Sequence, residues 1–164
     1  MIEQEFFPTT WDNLVKMVTS VILGLMGSFI VLFIFTPDSP MNLRMGIIGL
    51  FVAILLVPFL WAPRGYILQK NLIIVKRIIG DLEITVSEES KIWKWTWWGI
   101  RLWASGGLYG YFGIFFFKGM GKVKMYATNR NNLVLVKDAK NVKYLISPDN
   151  VDRFTYLLNR SLVD

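Results

Sequence analysis

Chemistry in this 164-residue chain would have to come from carboxylates, hydroxyls, lysines or backbone amides, because it contains neither histidine nor cysteine. That removes imidazole-based triads, thiol chemistry, disulfides and Cys/His zinc sites. The nearest approach to an acid–base pair is Glu88-Glu89. Adjacent residues on a strand face opposite ways and no base partner is evident, so the pair reads as a solvated strand end. The run "RLWASGGLYGYFGIFFFKGMG", Arg101 to Gly121, holds the glycines that a phosphate loop would need. Its spacing fails. Glycines at 107, 110 and 113 do not make G-x-G-x-x-G, and "GKV" at 121–123 has neither the upstream glycine nor the following Ser or Thr of a P-loop. The sequence therefore predicts no catalytic residue, no metal site and no cofactor.

The elements around that run are those of a membrane protein. The chain is 54% hydrophobic with a mean hydropathy of +0.44, too apolar for an ordinary soluble domain. Met17 to Thr36 and Met45 to Pro63 are free of formal charge, and twenty helical residues span about 30 Å, the thickness of the hydrocarbon core. The intervening "PDSPMNLR" supplies prolines and turn formers, so the two spans form a hairpin with both chain ends on one side. A cleaved signal peptide is disfavoured because the first span lacks a basic n-region and a small-residue cleavage pattern. Arg64, Lys70, Lys76 and Arg77 follow the second span, against Arg44 alone in the turn. This bias places both termini in the cytoplasm and the protein, multi-pass, in the inner (plasma) membrane. Trp11 and Trp61 then sit at headgroup depth.

After Pro63 the apolar runs shorten and turn signals recur, the pattern of a small β domain. "GYILQ", "LIIVKRI", "LEITVS" and "KIWKWTW" read as strands, followed by "KVKMYAT", "NLVLVK" and "KYLIS" across the turns "NRNN" and "DAKN". The last element is a helix with Ser147 as N-cap, Pro148 at N1, and Val151, Phe154, Leu157 and Leu158 on one apolar face. The glycine-aromatic "GGLYGYFG", then "MYAT", then "YLISPDNVDRFTYLL", all behind a two-span hairpin, resemble the bacterial pleckstrin-homology-like membrane proteins. The likeness covers about residues 64–164 and is most specific at Gly106–Gly113 and Tyr144–Asp149. It implies an α+β membrane protein: a two-helix transmembrane hairpin (residues 1–63 with the N-terminal segment), then a cytoplasmic PH-like partly open β-barrel capped by a C-terminal helix (residues 64–164). Eukaryotic relatives often bind phosphoinositides through basic residues around the first hairpin. Lys70, Lys76 and Arg77 are only loosely similar to that arrangement, so that ligand does not carry over.

Arg101 to Gly121 then has two open readings. A third span is disfavoured: Leu102 to Phe117 is short, holds four glycines, and would export the basic C-terminal part. The rings can fill the barrel core, as small barrels require. Alternatively they form an interfacial lip. Five tryptophans lie between residues 93 and 103, and a buried indole needs a partner for its N–H that a bilayer interface supplies. The lip is the preferred reading, with Trp97, Trp98, Trp103, Tyr109, Tyr111 and Phe112 as membrane-interface residues. Lys70, Lys76, Arg77, Lys118, Lys122 and Lys124 are the candidates for lipid headgroups, or simply a solvated face. Nucleic acid is not an expected partner. The function that follows is a non-enzymatic membrane-anchored binding or scaffold module. Its partners are membrane lipids, itself as a homo-oligomer, or another membrane protein. The alternative is an accessory subunit of a transporter or membrane protease that uses the aromatic stretch as a protein interface.

Overall fold

A computed structural model describes residues 4–35, 40–88, 90–94 and 99–162. The two charge-free runs are helices, α1 (Asn13–Phe35) and α2 (Met41–Trp61), each long and apolar enough to cross a bilayer and almost without residues buried in protein. Leu, Ile, Val and Phe side chains exposed along both helices are the surface expected of lipid-facing spans rather than of a soluble bundle.

The strands form two sheets. The first has the order β1 (Gln4–Pro8), β2 (Gly65–Gln69), β3 (Leu72–Lys76), β4 (Leu82–Thr85). The second runs β5 (Lys91–Trp93), β9 (Leu133–Lys137), β10 (Lys143–Ile146), β8 (Gly121–Ala127), β7 (Tyr111–Phe117), β6 (Gly99–Gly106). Neighbours are antiparallel except β10 and β8, which run parallel. Neither sheet closes on itself, and helix α3 (Val151–Ser161) seals one face, so the domain is a partly open barrel. Strand β1 was not legible as a strand. It lies before the spans yet pairs with β2 from Gln4↔Gln69 to Pro8↔Gly65, so the domain recruits residues on both sides of the hairpin.

Alternation along the second sheet separates two cores. Val134, Val136 and Ile146 face the first sheet's Tyr66, Ile73, Val75 and Ile84, and Phe154 and Leu158 of α3 close that cluster. Leu133, Leu145, Met125, Phe115 and Phe117 point the other way, into a second cluster that includes Val15 of α1. A span residue is thus part of a domain core.

The C-terminal helix starts later than its sequence implies. Asn150 is the N-cap, its side chain accepting from the Arg153 amide at 3.1 Å. Ser147 is fully buried, and its hydroxyl accepts from the Thr128 amide at 2.8 Å, so it cannot cap a helix. Asp149 likewise serves the chain before α1, accepting from the Thr10 amide and hydroxyl at 2.9 Å.

Asp12 completes this junction. Its amide donates to the Thr128 carbonyl at 3.1 Å. Its buried carboxylate caps α1 through the Val15 amide at 2.8 Å, and accepts from Arg130 Nε at 3.1 Å and the Tyr111 hydroxyl at 3.2 Å. Burial pushes this carboxyl up, but the Val15 and Arg130 amides and the Arg130 guanidinium outweigh that and hold it below the usual carboxylate range. Asp12→Ala should destabilise the protein in mild detergent by about 3 kcal/mol. Because the folded carboxyl is depressed, its contribution is present above its unfolded value of 3.8 and is lost as pH falls through the lower folded value. Thermal unfolding of both proteins as a function of pH should therefore show the difference at neutral pH shrinking in acid.

Candidate functional site

The β6–β7 turn is shaped by glycine. Gly107 and Gly110 have φ of +127° and +140°, a region closed to most side chains, and a Cβ on Gly107 would lie 3.1 Å from Val18 of α1. The turn therefore presses directly onto the span. The Thr19 hydroxyl donates to the Gly107 carbonyl at 3.2 Å and accepts from the Tyr109 amide at 3.0 Å. The Tyr109 ring packs against Phe59 of α2 at 5.2 Å and Trp11 at 6.1 Å. The glycine-aromatic run thus seats the barrel on both helices at their domain-proximal ends.

The second sheet is wider than the first. The face that carries Tyr126 and Ile146 over the first sheet continues through Phe112 and Ser105, then Ile114 and Trp103, then Phe116 and Ile100. None of these β6 or β7 residues belongs to the core between the sheets. Trp103 is 84% exposed and Ile100 65%. Helix α2 stands beside this face and stands off enough to leave a cleft of about 600 Å³. Ile54, Val57, Pro58 and Trp61 form the helix wall; Trp103, Ser105, Leu108 and Phe112 form the sheet wall.

Arg77 and Tyr126 close one end of the cleft. Arg77 opens the β3–β4 connection, which is tied to the end of α2: the Arg64 amide donates to the Lys76 carbonyl at 2.8 Å and the Ile79 amide to the Leu60 carbonyl at 3.2 Å. The Arg77 guanidinium lies over the Tyr126 ring, 5.8 Å from its centroid. Its Nε is buried and has no acceptor among the described residues. The nearby Asp81 is held by Lys76 and by the Arg77 backbone amide, and these bonds keep its carboxyl below the usual range.

The predicted site residues separate. Trp103 is exposed, whereas Tyr109, Tyr111 and Phe112 are buried in protein. Tyr109 is covered by α2, Phe112 packs with Tyr109 and Ala62, and Tyr111 lies in the second core with its hydroxyl on Asp12. Burial and the Asp12 charge push the Tyr111 phenol well up. These three rings therefore face protein instead of headgroups, because the spans cover the turn that carries them. Trp97 and Trp98 lie outside the described residues.

The basic candidates do not gather in one patch. Lys70 lies at the tip of the β2–β3 hairpin, about 15 Å of strand from the α2 junction, and Lys118 and Lys122 flank the β7–β8 turn, about 20 Å of strand from the turn seated on α1. Lys76 pairs with Asp81, and Lys124 sits over the Tyr144 ring at 5.6 Å. Arg77 alone of the six lines the cleft. Asp12 and Arg130 had no part in the sequence-based site. The one signal available was an Asp directly ahead of a helix, a common N-cap.

Trp103→Ala should leave thermal stability within about 0.5 kcal/mol, as expected for an exposed ring, while Tyr111→Ala should cost about 3 kcal/mol or more through its cavity and the lost Asp12 bond. Unfolding of the two variants in detergent checks this contrast.

The family described as "Bacterial PH domain" matches residues 64–162. No curated protein and no solved structure matches the chain. With more than half of the chain inside that match, and its strands and closing helix arranged as a partly open barrel, the chain belongs to the bacterial PH domain family.

Proposed function

We propose that the protein is a non-enzymatic, membrane-anchored binding module, held in the inner (plasma) membrane with both termini cytoplasmic, whose PH-like domain contacts lipid headgroups. The observation that carries this reading is the rigid seating of the barrel on the hairpin through Asp12, Thr19 and Tyr109. It places the open β6–β7 face and the β3–β4 connection beside the domain-proximal end of α2. Ile78 and Ile79 in that connection are exposed next to Leu60, which suits immersion at the edge of a bilayer. The excess of Lys and Arg after the second span supports the cytoplasmic side.

One observation favours a second reading, a homo-oligomer or an accessory subunit of a transporter or membrane protease. Among the described residues strand β6 is an edge of its sheet, carrying exposed Ile100, Leu102 and Trp103, and such an edge can accept a strand from another chain.

Two measurements test the proposal. Single cysteines at Asn42 and Asn141 should react oppositely with an impermeant thiol reagent on intact cells, position 42 labelled and position 141 spared; the reverse pattern would refute the cytoplasmic assignment. In nanodiscs, amide exchange over residues 77–80 should be slower in anionic than in zwitterionic lipid, with salt reducing the difference. Equal exchange at every salt concentration would reject headgroup contact and favour the protein partner.

A further inference from the structure

We propose that the cleft between α2 and the β6–β7 face holds one anionic phospholipid, its acyl chain along the helix wall and its phosphate on Arg77. The inference rests on the membrane reading above and goes further by assigning the lipid a built site. Ile54, Val57 and Pro58 belong to a span, so this end of the cleft opens into the hydrocarbon layer, where the available apolar occupant is a lipid tail. The cleft volume of about 600 Å³ lies within the range of roughly 300–1,000 Å³ found for small-molecule sites.

Polarity is graded along the cleft in the direction a lipid requires. Arg77 is tied beside the last turn of α2, whereas Ile54 lies about 10 Å deeper along the helix. The charged end is therefore at the bilayer surface and the apolar end within it. Arg77 lines the cleft at that end, and a phosphate oxygen is the acceptor that matches a guanidinium in charge and geometry. Among the described residues, Arg77 is the only charged one in the lining, and none there is a carboxylate that could receive a headgroup amine. Charge complementarity thus favours an anionic headgroup over a zwitterionic one.

Native mass spectrometry of the full-length protein, delipidated in mild detergent and titrated with phosphatidylglycerol, phosphatidylcholine or diacylglycerol, tests the assignment. The wild type should take up one phosphatidylglycerol per chain ahead of the other two lipids. Arg77→Gln should weaken that uptake about tenfold or more. Val57→Trp should abolish it by filling the helix wall at a lipid-facing position, with little effect on unfolding. Diacylglycerol binding as tightly as phosphatidylglycerol would overturn the role of Arg77. Tight phosphatidylglycerol binding that both variants retain would overturn the cleft while leaving headgroup contact elsewhere on the domain intact. A cleft covered by a second copy would appear as a dimer that excludes lipid and that Val57→Trp dissociates, again overturning the proposal. Wild-type protein that takes up none of the three lipids would overturn the lipid reading itself.

Discussion

The Asp12 carboxylate is the point on which the arrangement of domain and membrane helices depends. It caps α1, accepts from Arg130 and Tyr111, and is buried between the first span and the second sheet. A charge so placed is tolerable only while every lone pair has a donor. Because its donors come from α1, from β7 and from the segment after β8, it fixes the helix relative to the barrel, where a flexible linker would leave them free. Thr9, Thr10, Ser147 and Asp149 extend the junction to the strand before α1 and the segment before α3. The span and the domain are consequently one folded unit.

Once the barrel is seated, the unequal width of its sheets has a consequence. The four-stranded sheet and α3 cover only part of one face of the six-stranded sheet. In a free-standing domain the remaining β6–β7 face would be an exposed apolar surface. Here it stands beside α2, and in the arrangement we propose the bilayer rather than water surrounds it. Gly113 shows how closely the two strands of this face pack: its φ is +119° and a Cβ would clash with the Trp103 carbonyl. The proposed lipid occupies the space that α2 leaves, and Arg77 supplies the polar end that an all-apolar groove would lack.

The spans were legible because charge-free runs of that length have few other uses, and β2, β3 and β9 because their apolar residues and flanking turns are regular. Strand β1 was hidden because "QEFFP" acquires a partner only after two spans bring Pro8 back to Gly65. Ser147 reads as a cap until the Thr128 amide competes for its hydroxyl. For Tyr109, Tyr111 and Phe112, core and interface ask for the same ring chemistry, and what decides is a covering helix that is remote in sequence. Among the basic residues, net charge does not reveal which end of a strand lies beside the span. That position separates Arg77 from Lys70, Lys118 and Lys122.

The most direct test of the account concerns where the uncovered sheet face lies. The chain has no cysteine, so a nitroxide can be placed singly at Trp103 or at Lys118 in full-length protein reconstituted into bilayers. If the barrel is seated as described, the label at 103 should be relaxed more by oxygen, which partitions into lipid, than by an aqueous nickel chelate, and the label at 118 should show the opposite preference. A label at 103 as accessible to the nickel chelate as that at 118 would place the β6–β7 face in water and contradict the account.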